Sequence, residues 1–154
     1  CHWPLNPLLL RQACDAFVGR HDFLNFVHKE ERKKANKCAG IMSNDKSPHE
    51  IDLLEFRVDT QSEEDEQQTA LPPVVNATFR LKAKGFHRSM VRNLVGFVVD
   101  IARGLRSVDD ISMLLMEKKA EESRSNSHDN TSLASMVNSA PACGLCLAKV
   151  QYEH

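Results

Sequence analysis

Three observations predict an α+β fold, one mostly antiparallel sheet with helices packed on one face. Residues alternate in character from Val74 to Lys84, apolar residues recur at helical spacing in two separate stretches, and helices and strands follow one another irregularly. The 154 residues allow one domain and can bury a core. A hydrophobic fraction of 42% excludes wholesale disorder, and no apolar run approaches the length of a membrane-spanning helix. No internal repeat is evident.

Leu10, Ala13, Cys14, Phe17 and Val18 recur at helical spacing, and Gly19 is a natural stop, so a helix is expected at about 7–18. The compact aromatic segment His21–Phe26 follows, then a basic stretch. Residues 36–43 and 50–58 read as strands. In the second, Ile51, Leu53 and Val58 with Leu54 and Phe56 supply apolar groups to both faces. The run 59–71 is acidic, Gln-rich and aperiodic, so it reads as an inserted, solvated loop.

From Val74 to Lys84 the residues Val75, Ala77, Phe79, Leu81 and Ala83 share one face, and Asn76, Thr78, Arg80, Lys82 and Lys84 the other. That is a strand with a buried face and a basic face. Gly85 ends it. Met90, Val91, Leu94, Val95, Val98, Ile101 and Ala102 then form the broad apolar side of a helix at about 87–103, closed by Gly104. Ser107 with Asp110 three residues on predicts a capped helix start, with Ile111, Leu114 and Leu115 inward. Residues 120–139, rich in Ser, Asn and Glu, read as a mobile insertion. Leu145, Leu147 and Val150 mark a final strand.

The formal charge of −1, from 20 Lys and Arg against 21 Asp and Glu, conceals an uneven distribution. Between Lys29 and Lys37 five cations face Glu30 and Glu31. Between Arg80 and Arg106 seven cations face the single acid Asp100. The acids gather instead at Asp59, Glu63, Glu64, Asp65 and Glu66 and in 107–124. Such basic stretches either hold phosphates through Coulomb attraction and counterion release or form a solvated face.

Five cysteines without a secretory signal or a regular framework point to reduced thiols and an intracellular protein. Cys143 and Cys146 form a C-x-x-C that could be half a zinc site. No second pair completes it, and Cys146 alternates with apolar residues, which favours structural thiols. A chain that begins at Cys1 is expected to be processed or a piece of something longer.

Chemistry concentrates between Lys82 and Arg92. A basic strand face runs through Gly85-Phe86 into a helix that carries Arg88, Arg92, Gly96, Asp100 and Arg103 on one stripe. The two arginines near its N-terminus suit an anion, and guanidinium groups suit bidentate carboxylate or phosphate contact. Gly96 lets something approach closely. Pairing of Arg92 with Asp100 or a C-terminal carboxylate is the purely structural alternative.

Three segments, in order, carry a family resemblance. Gly85-Phe86-His87-Arg88-Ser89-Met90-Val91-Arg92-Asn93-Leu94-Val95-Gly96 resembles the G-F-x-x-x-M-V-R-N-x-V-G signature of TruA-type tRNA pseudouridine synthases. Gly19 to Phe26 resembles that family's G-x-H-D-F-x-x-F, and Ala140 to Leu147 its A-P-x-x-G-L-x-L. The resemblance covers most of 3–118 and 139–152, and leaves the acidic loop and the 120–139 insertion unexplained. It implies the pseudouridine synthase fold and an isomerase that converts uridine to pseudouridine in tRNA, typically in the anticodon arm, without metal or organic cofactor. An essential Asp attacks or deprotonates at the nucleoside, the N-glycosidic bond breaks, and the base rejoins through C5. Arg92 would pair with that Asp and keep it ionised. Phe86, Leu145 and His21 would contact the target nucleoside. Lys82, Lys84, Arg88, Lys33, Lys34 and Lys37 would hold RNA phosphates around an extruded base.

The chain departs from the family in three respects. The G-R-T-D-x-G-V-H-A motif that carries the family's catalytic Asp is absent. Gly19-Arg20-His21-Asp22 is the later H-D-F motif, so Asp22 is expected in a turn or cap rather than as nucleophile. The family's aromatic Tyr motif is also absent, and so is the usual arginine after H-D-F, with Lys37 near its place. The chain is therefore expected to be the C-terminal half of the enzyme, inactive alone, with tRNA, the N-terminal half and a possible second copy as partners and no membrane. A non-catalytic RNA-binding module derived from the family is the alternative, and a protein-interaction domain with a merely solvated basic face is a third reading.

Overall fold

A proline at the first position and an asparagine before it start the first helix, α1 (Pro7–Phe17), in a computed structural model that describes residues 5–38, 49–62, 75–116 and 133–152. The Asn6 side-chain oxygen accepts from the Leu8 and Leu9 amides at 3.0 and 3.3 Å, satisfying two donors that the helix leaves open. Leu10, Ala13, Cys14 and Phe17 form its buried stripe. Gly19, at φ +114°, turns the chain directly into β1 (Gly19–Asp22), a conformation that glycine adopts without a Cβ clash.

After a 3-10 turn at Leu24–Phe26 comes α2 (Lys29–Cys38), so residues 36–38 are helical rather than the start of the expected strand; 39–43 lie outside the described residues. Glu30 and Glu31 occupy the first turn, where the helix dipole favours acids, and strong helix formers follow. Its polar character all round hides this helix from apolar periodicity.

The sheet is antiparallel with order β1-β2-β3, where β2 is Glu50–Ser62 and β3 is Val75–Ala83. Gly19 pairs with Leu53 across β1 and β2. Strand β2 runs further than expected: 59–62 belong to it, with Asp59 opposite Thr78 and Ser62 opposite Val75. Only the first part of the anticipated acidic loop is thus described, and it is strand because β3 pairs with it; 63–71 lie outside the described residues.

A β-bulge between Leu53 and Glu55 decides which side chains of β2 face the core. The extra residue shifts the alternation, so Leu53, Phe56 and Val58 are all buried while Leu54 is exposed. Phe56 therefore shares the core face with Leu53 and Val58, and Leu54 is the apolar group turned to the other face. On β3, Ala77, Phe79, Leu81 and Ala83 pack against the core, and Asn76, Thr78, Arg80 and Lys82 are exposed, as alternation required.

Two further helices, α3 (Met90–Ala102) and α4 (Asp109–Met116), complete the core with α1. Helix α3 is three residues shorter at its start than expected, because Arg88 and Ser89 form a turn with Ser89 at φ +63°. At α4 the Ser107 amide donates to Asp110 Oδ2 at 3.0 Å, and the Asp109 amide to Ser107 Oγ at 3.2 Å. Phe17 sits at the centre: the rings of Phe26, Phe56, Phe23 and Phe97 surround it at 5.1, 6.0, 6.5 and 6.5 Å, mostly tilted or edge-on.

The C-terminal residues form no strand among the described residues. A 3-10 turn at Ala142–Gly144 leads into exposed, irregular chain to Tyr152. A strand needs a neighbour to receive its backbone bonds, and none of β1 to β3 pairs with this segment. The anticipated 120–139 insertion likewise ends in structure: Leu133–Met136 is a 3-10 turn and 138–140 packs on α3, while 120–132 lie outside the described residues. No helix among the described residues is long and apolar enough to cross a membrane.

Candidate functional site

One face of α3 holds residues 138–140 against it. At Gly96 an added Cβ would fall 2.0 Å from the Asn138 carbonyl oxygen, so the backbone of this segment occupies the space a side chain would need. One turn back, the Arg92 Nε–H donates to the Ala140 carbonyl at 2.8 Å, and the Ala140 amide donates to the Arg92 carbonyl at 2.9 Å. One turn forward, Asn138 Nδ2 donates to Asp100 Oδ2 at 2.9 Å. The segment therefore runs antiparallel to the helix, held at three successive turns.

Asn93 lies beneath it and is 7% exposed. Its amide nitrogen donates to the Phe26 carbonyl at 2.7 Å, and its oxygen accepts from the Ser139 hydroxyl. A buried amide needs such partners to offset its lost hydration. Asn93 thereby links the segment after β1, helix α3 and the 138–140 segment. Sequence reasoning passed it over, although a polar residue in the apolar stripe of Met90, Leu94 and Phe97 signals a buried hydrogen-bonding role.

The alternative pairing of Arg92 with Asp100 does not occur among the described residues. Asp100 is buried against Asn138 and stands 3.9 Å from Arg103 instead. Arg92 is partly buried, and among the described residues its side chain bonds to the Ala140 carbonyl alone. Asp22 accepts from the Leu24 amide at 3.0 Å, the turn role expected of it. His21, in β1 opposite Ile51, holds the Val18 carbonyl at 3.2 Å through Nε2 and stands edge-on to Phe23. Phe86 and Leu145 are 41% and 53% exposed.

The two basic stretches meet. The His28 amide, just before α2, donates to the Arg88 carbonyl at 3.1 Å, and His87 stands 3.9 Å from Glu31 and edge-on to His49 at 4.8 Å. Lys33 and Lys34 on α2, Lys82 on β3, and Lys84 and Arg88 in the connection to α3 are exposed. Lys37 is in α2, with its side chain outside the described residues. On the neighbouring open face of the sheet, Arg57 and Arg80 pair with Glu55 and Asp59 at 3.4 and 3.8 Å, exposed contacts of little energetic weight.

The cysteines divide by burial. Cys14 is buried in the core, where burial, with Asp15 adding to it, pushes the thiol up to about 12. Cys143 and Cys146 are free and exposed, so the expectation of structural thiols is corrected for this pair. Their packing partners would have been a strand that the segment does not form. Among the described residues no three His, Cys, Asp or Glu side chains stand close enough to hold a metal ion.

A family model described as tRNA pseudouridine synthase matches residues 13–153. The chain is 31% identical over 150 residues to tRNA pseudouridine synthase A of Limosilactobacillus reuteri (strain DSM 20016), covering 97% of this chain and 44% of that protein. It is 28% identical over 143 residues to tRNA pseudouridine synthase A of Geobacter sp. (strain M21), covering 93% and 43%. It is 26% identical over 152 residues to that of Rippkaea orientalis (strain PCC 8801 / RF-1), covering 99% and 39%. The chain spans less than half the length of these curated relatives. With its matched motifs gathered on helix α3, the chain belongs to the TruA-type tRNA pseudouridine synthase family.

Proposed function

We propose that the chain is the C-terminal half of an enzyme that isomerises uridine to pseudouridine in tRNA, and that it supplies Arg92 to a catalytic aspartate carried by the other half. The observation that supports this reading is the state of Arg92. Its Nε is fixed on the Ala140 carbonyl, and among the described residues no carboxylate stands opposite its terminal nitrogens. A guanidinium held by one edge presents its other edge as a ready-made fork for a carboxylate. A carboxylate placed there would be kept ionised, as a nucleophile or base at the nucleoside requires.

The rest of the arrangement suits the same chemistry. Phe86 and Leu145 offer apolar surface to a uracil ring, with His21 as a third contact. Lys82, Lys84, Arg88, Lys33, Lys34 and Lys37 are the groups assigned to RNA phosphates, and extruding a base from the stack needs such a rim. Leu145, Leu147, Val150 and Tyr152 are all exposed in a chain with no strand partner among the described residues. This apolar segment is the surface assigned to the other half of the enzyme.

The test is tritium release from tRNA labelled at uridine C5. The full-length enzyme is expected to release tritium and the isolated chain to release none while binding tRNA with a steep salt dependence. Release by the isolated chain would contradict the division of the site. Salt-dependent tRNA binding by a full-length protein that never releases tritium would identify a non-catalytic RNA-binding module.

A further inference from the structure

Asp100 lies on the buried side of α3 and is 6% exposed, although an apolar residue there would escape the cost of taking a carboxylate out of water. Its Oδ2 accepts from the Asn138 side-chain amide at 2.9 Å, and its Oδ1 stands 3.9 Å from Arg103. A bond to an ionised acceptor is roughly twice as strong as a neutral one. Asn138 on Asp100 is therefore the firmer of the two side-chain ties that the segment itself supplies, the other being Ser139 on Asn93. The hold begins earlier: the Arg106 guanidinium donates to the Met136 carbonyl at 3.5 Å, and Val137 packs against the core. The chain is thus tied down residue by residue from Met136 to Asn138 before it reaches Ala140, whose carbonyl receives the Arg92 Nε–H at 2.8 Å. That N–H lies in the guanidinium plane, so the direction of the carbonyl sets the plane of the fork that Arg92 presents. Every one of these ties is internal to this chain, and none depends on which of its surfaces are covered.

We infer that Asp100 and Asn138 are positioning residues for the isomerisation. Their hydrogen bond fixes the 138–140 segment on α3, the Ala140 carbonyl is thereby held in place, and the Arg92 guanidinium is aimed at its carboxylate. Both residues act through Arg92 rather than on the nucleoside, so the inference rests on the assignment of Arg92 to the catalytic aspartate. It gives the buried charge of Asp100 a purpose, since a carboxylate is the acceptor that holds the Asn138 amide most firmly. It also predicts that the bond survives an exchange of donor and acceptor between the two positions.

Tritium release by the full-length enzyme is followed over a range of tRNA concentrations, so that kcat and KM are read separately. Asn138→Ala removes the donor, and Asn138→Asp sets a second carboxylate against Asp100. Both are expected to lower kcat, the second by about tenfold to a hundredfold, with KM for tRNA within about threefold of wild type. Asp100→Asn combined with Asn138→Asp exchanges donor and acceptor, and is expected to bring kcat back to within about threefold of wild type. The Arg92 Nε–H resonance, identified by its loss in Arg92→Lys, is expected to exchange with water faster in both single variants and to regain protection in the double variant. Unchanged kcat in the single variants, a rise in KM alone, or a double variant no better than Asn138→Asp would overturn the inference. Arg92→Ala is assayed beside them. Loss of activity there with wild-type kcat in Asn138→Asp overturns the positioning role alone, whereas full tritium release by Arg92→Ala overturns the catalytic assignment of Arg92 itself.

Discussion

The Asn93 side-chain amide donates to the Phe26 main-chain carbonyl at 2.7 Å, across a sequence separation of 67 residues and inside the core. Its other end receives the Ser139 hydroxyl, so a single buried side chain registers three segments that are far apart in the chain. Asn93→Ala is expected to destabilise the fold by about 1–3 kcal/mol, because the Phe26 carbonyl loses its donor without regaining water. Asn93→Asp should cost at least as much, since it buries a charge and removes the donor. Urea denaturation checks both; an unchanged midpoint in Asn93→Ala would show the hydrogen bond to be dispensable.

Gly96→Ala sets two effects against each other. In an open helix the change gains about 1 kcal/mol of propensity. Here the new methyl would stand 2.0 Å from the Asn138 oxygen and 2.9 Å from the Ala140 nitrogen, both backbone atoms. Overpacking of this kind costs roughly 1–3 kcal/mol, so the clash wins. The segment can lift away while α3 remains, so hydrogen exchange should show reduced protection of the Ala140 amide with little change at core amides of α3.

Much of this arrangement is legible in the residues themselves. Helix α1 and strand β3 announce themselves because one face of each is buried, which imposes periods of 3.6 and 2. Gly96 signals a close approach, and Ser107 with Asp110 a helix start. The polar helix α2 carries no apolar stripe to read. The bulge at Leu53 inverts the alternation within β2, and no single residue there marks it. Asn138 and Ser139 belong by composition to a mobile run, yet partners 38 and 46 residues away fix them. The expectation of a final strand rests on alternation alone, which says which face is apolar but not whether a neighbouring strand exists.

The exposed cations should show themselves through salt. In the full-length enzyme, Lys82→Ala combined with Lys84→Ala is expected to weaken tRNA binding and flatten the dependence of log K on log salt by about 1 for each phosphate left without its lysine. Urea stability should stay within about 0.5 kcal/mol of wild type, as for other surface changes. An unchanged salt slope would place these side chains outside the RNA interface.

Cys14 gives a pH dependence whose sign follows from burial. Its thiol is pushed up to about 12 in the folded protein, so the folded state keeps the proton that the unfolded state loses near pH 9. Its contribution to stability is complete below about pH 9 and falls as pH rises towards 12, by up to about 1.4 kcal/mol per pH unit. Cys14→Ala should remove that share of the alkaline loss, measured as the difference between urea midpoints at pH 8 and pH 10. An identical alkaline loss in the variant would show that Cys14 is not its source.

Arg92→Ala in the full-length enzyme is the most direct measurement, with tritium release and tRNA affinity read on the same preparation. Pseudouridine formation is expected to be abolished while tRNA affinity stays within about tenfold, because the guanidinium serves the aspartate rather than the bulk of the RNA interface. Full tritium release by Arg92→Ala would contradict the role of Arg92 as partner of the catalytic aspartate.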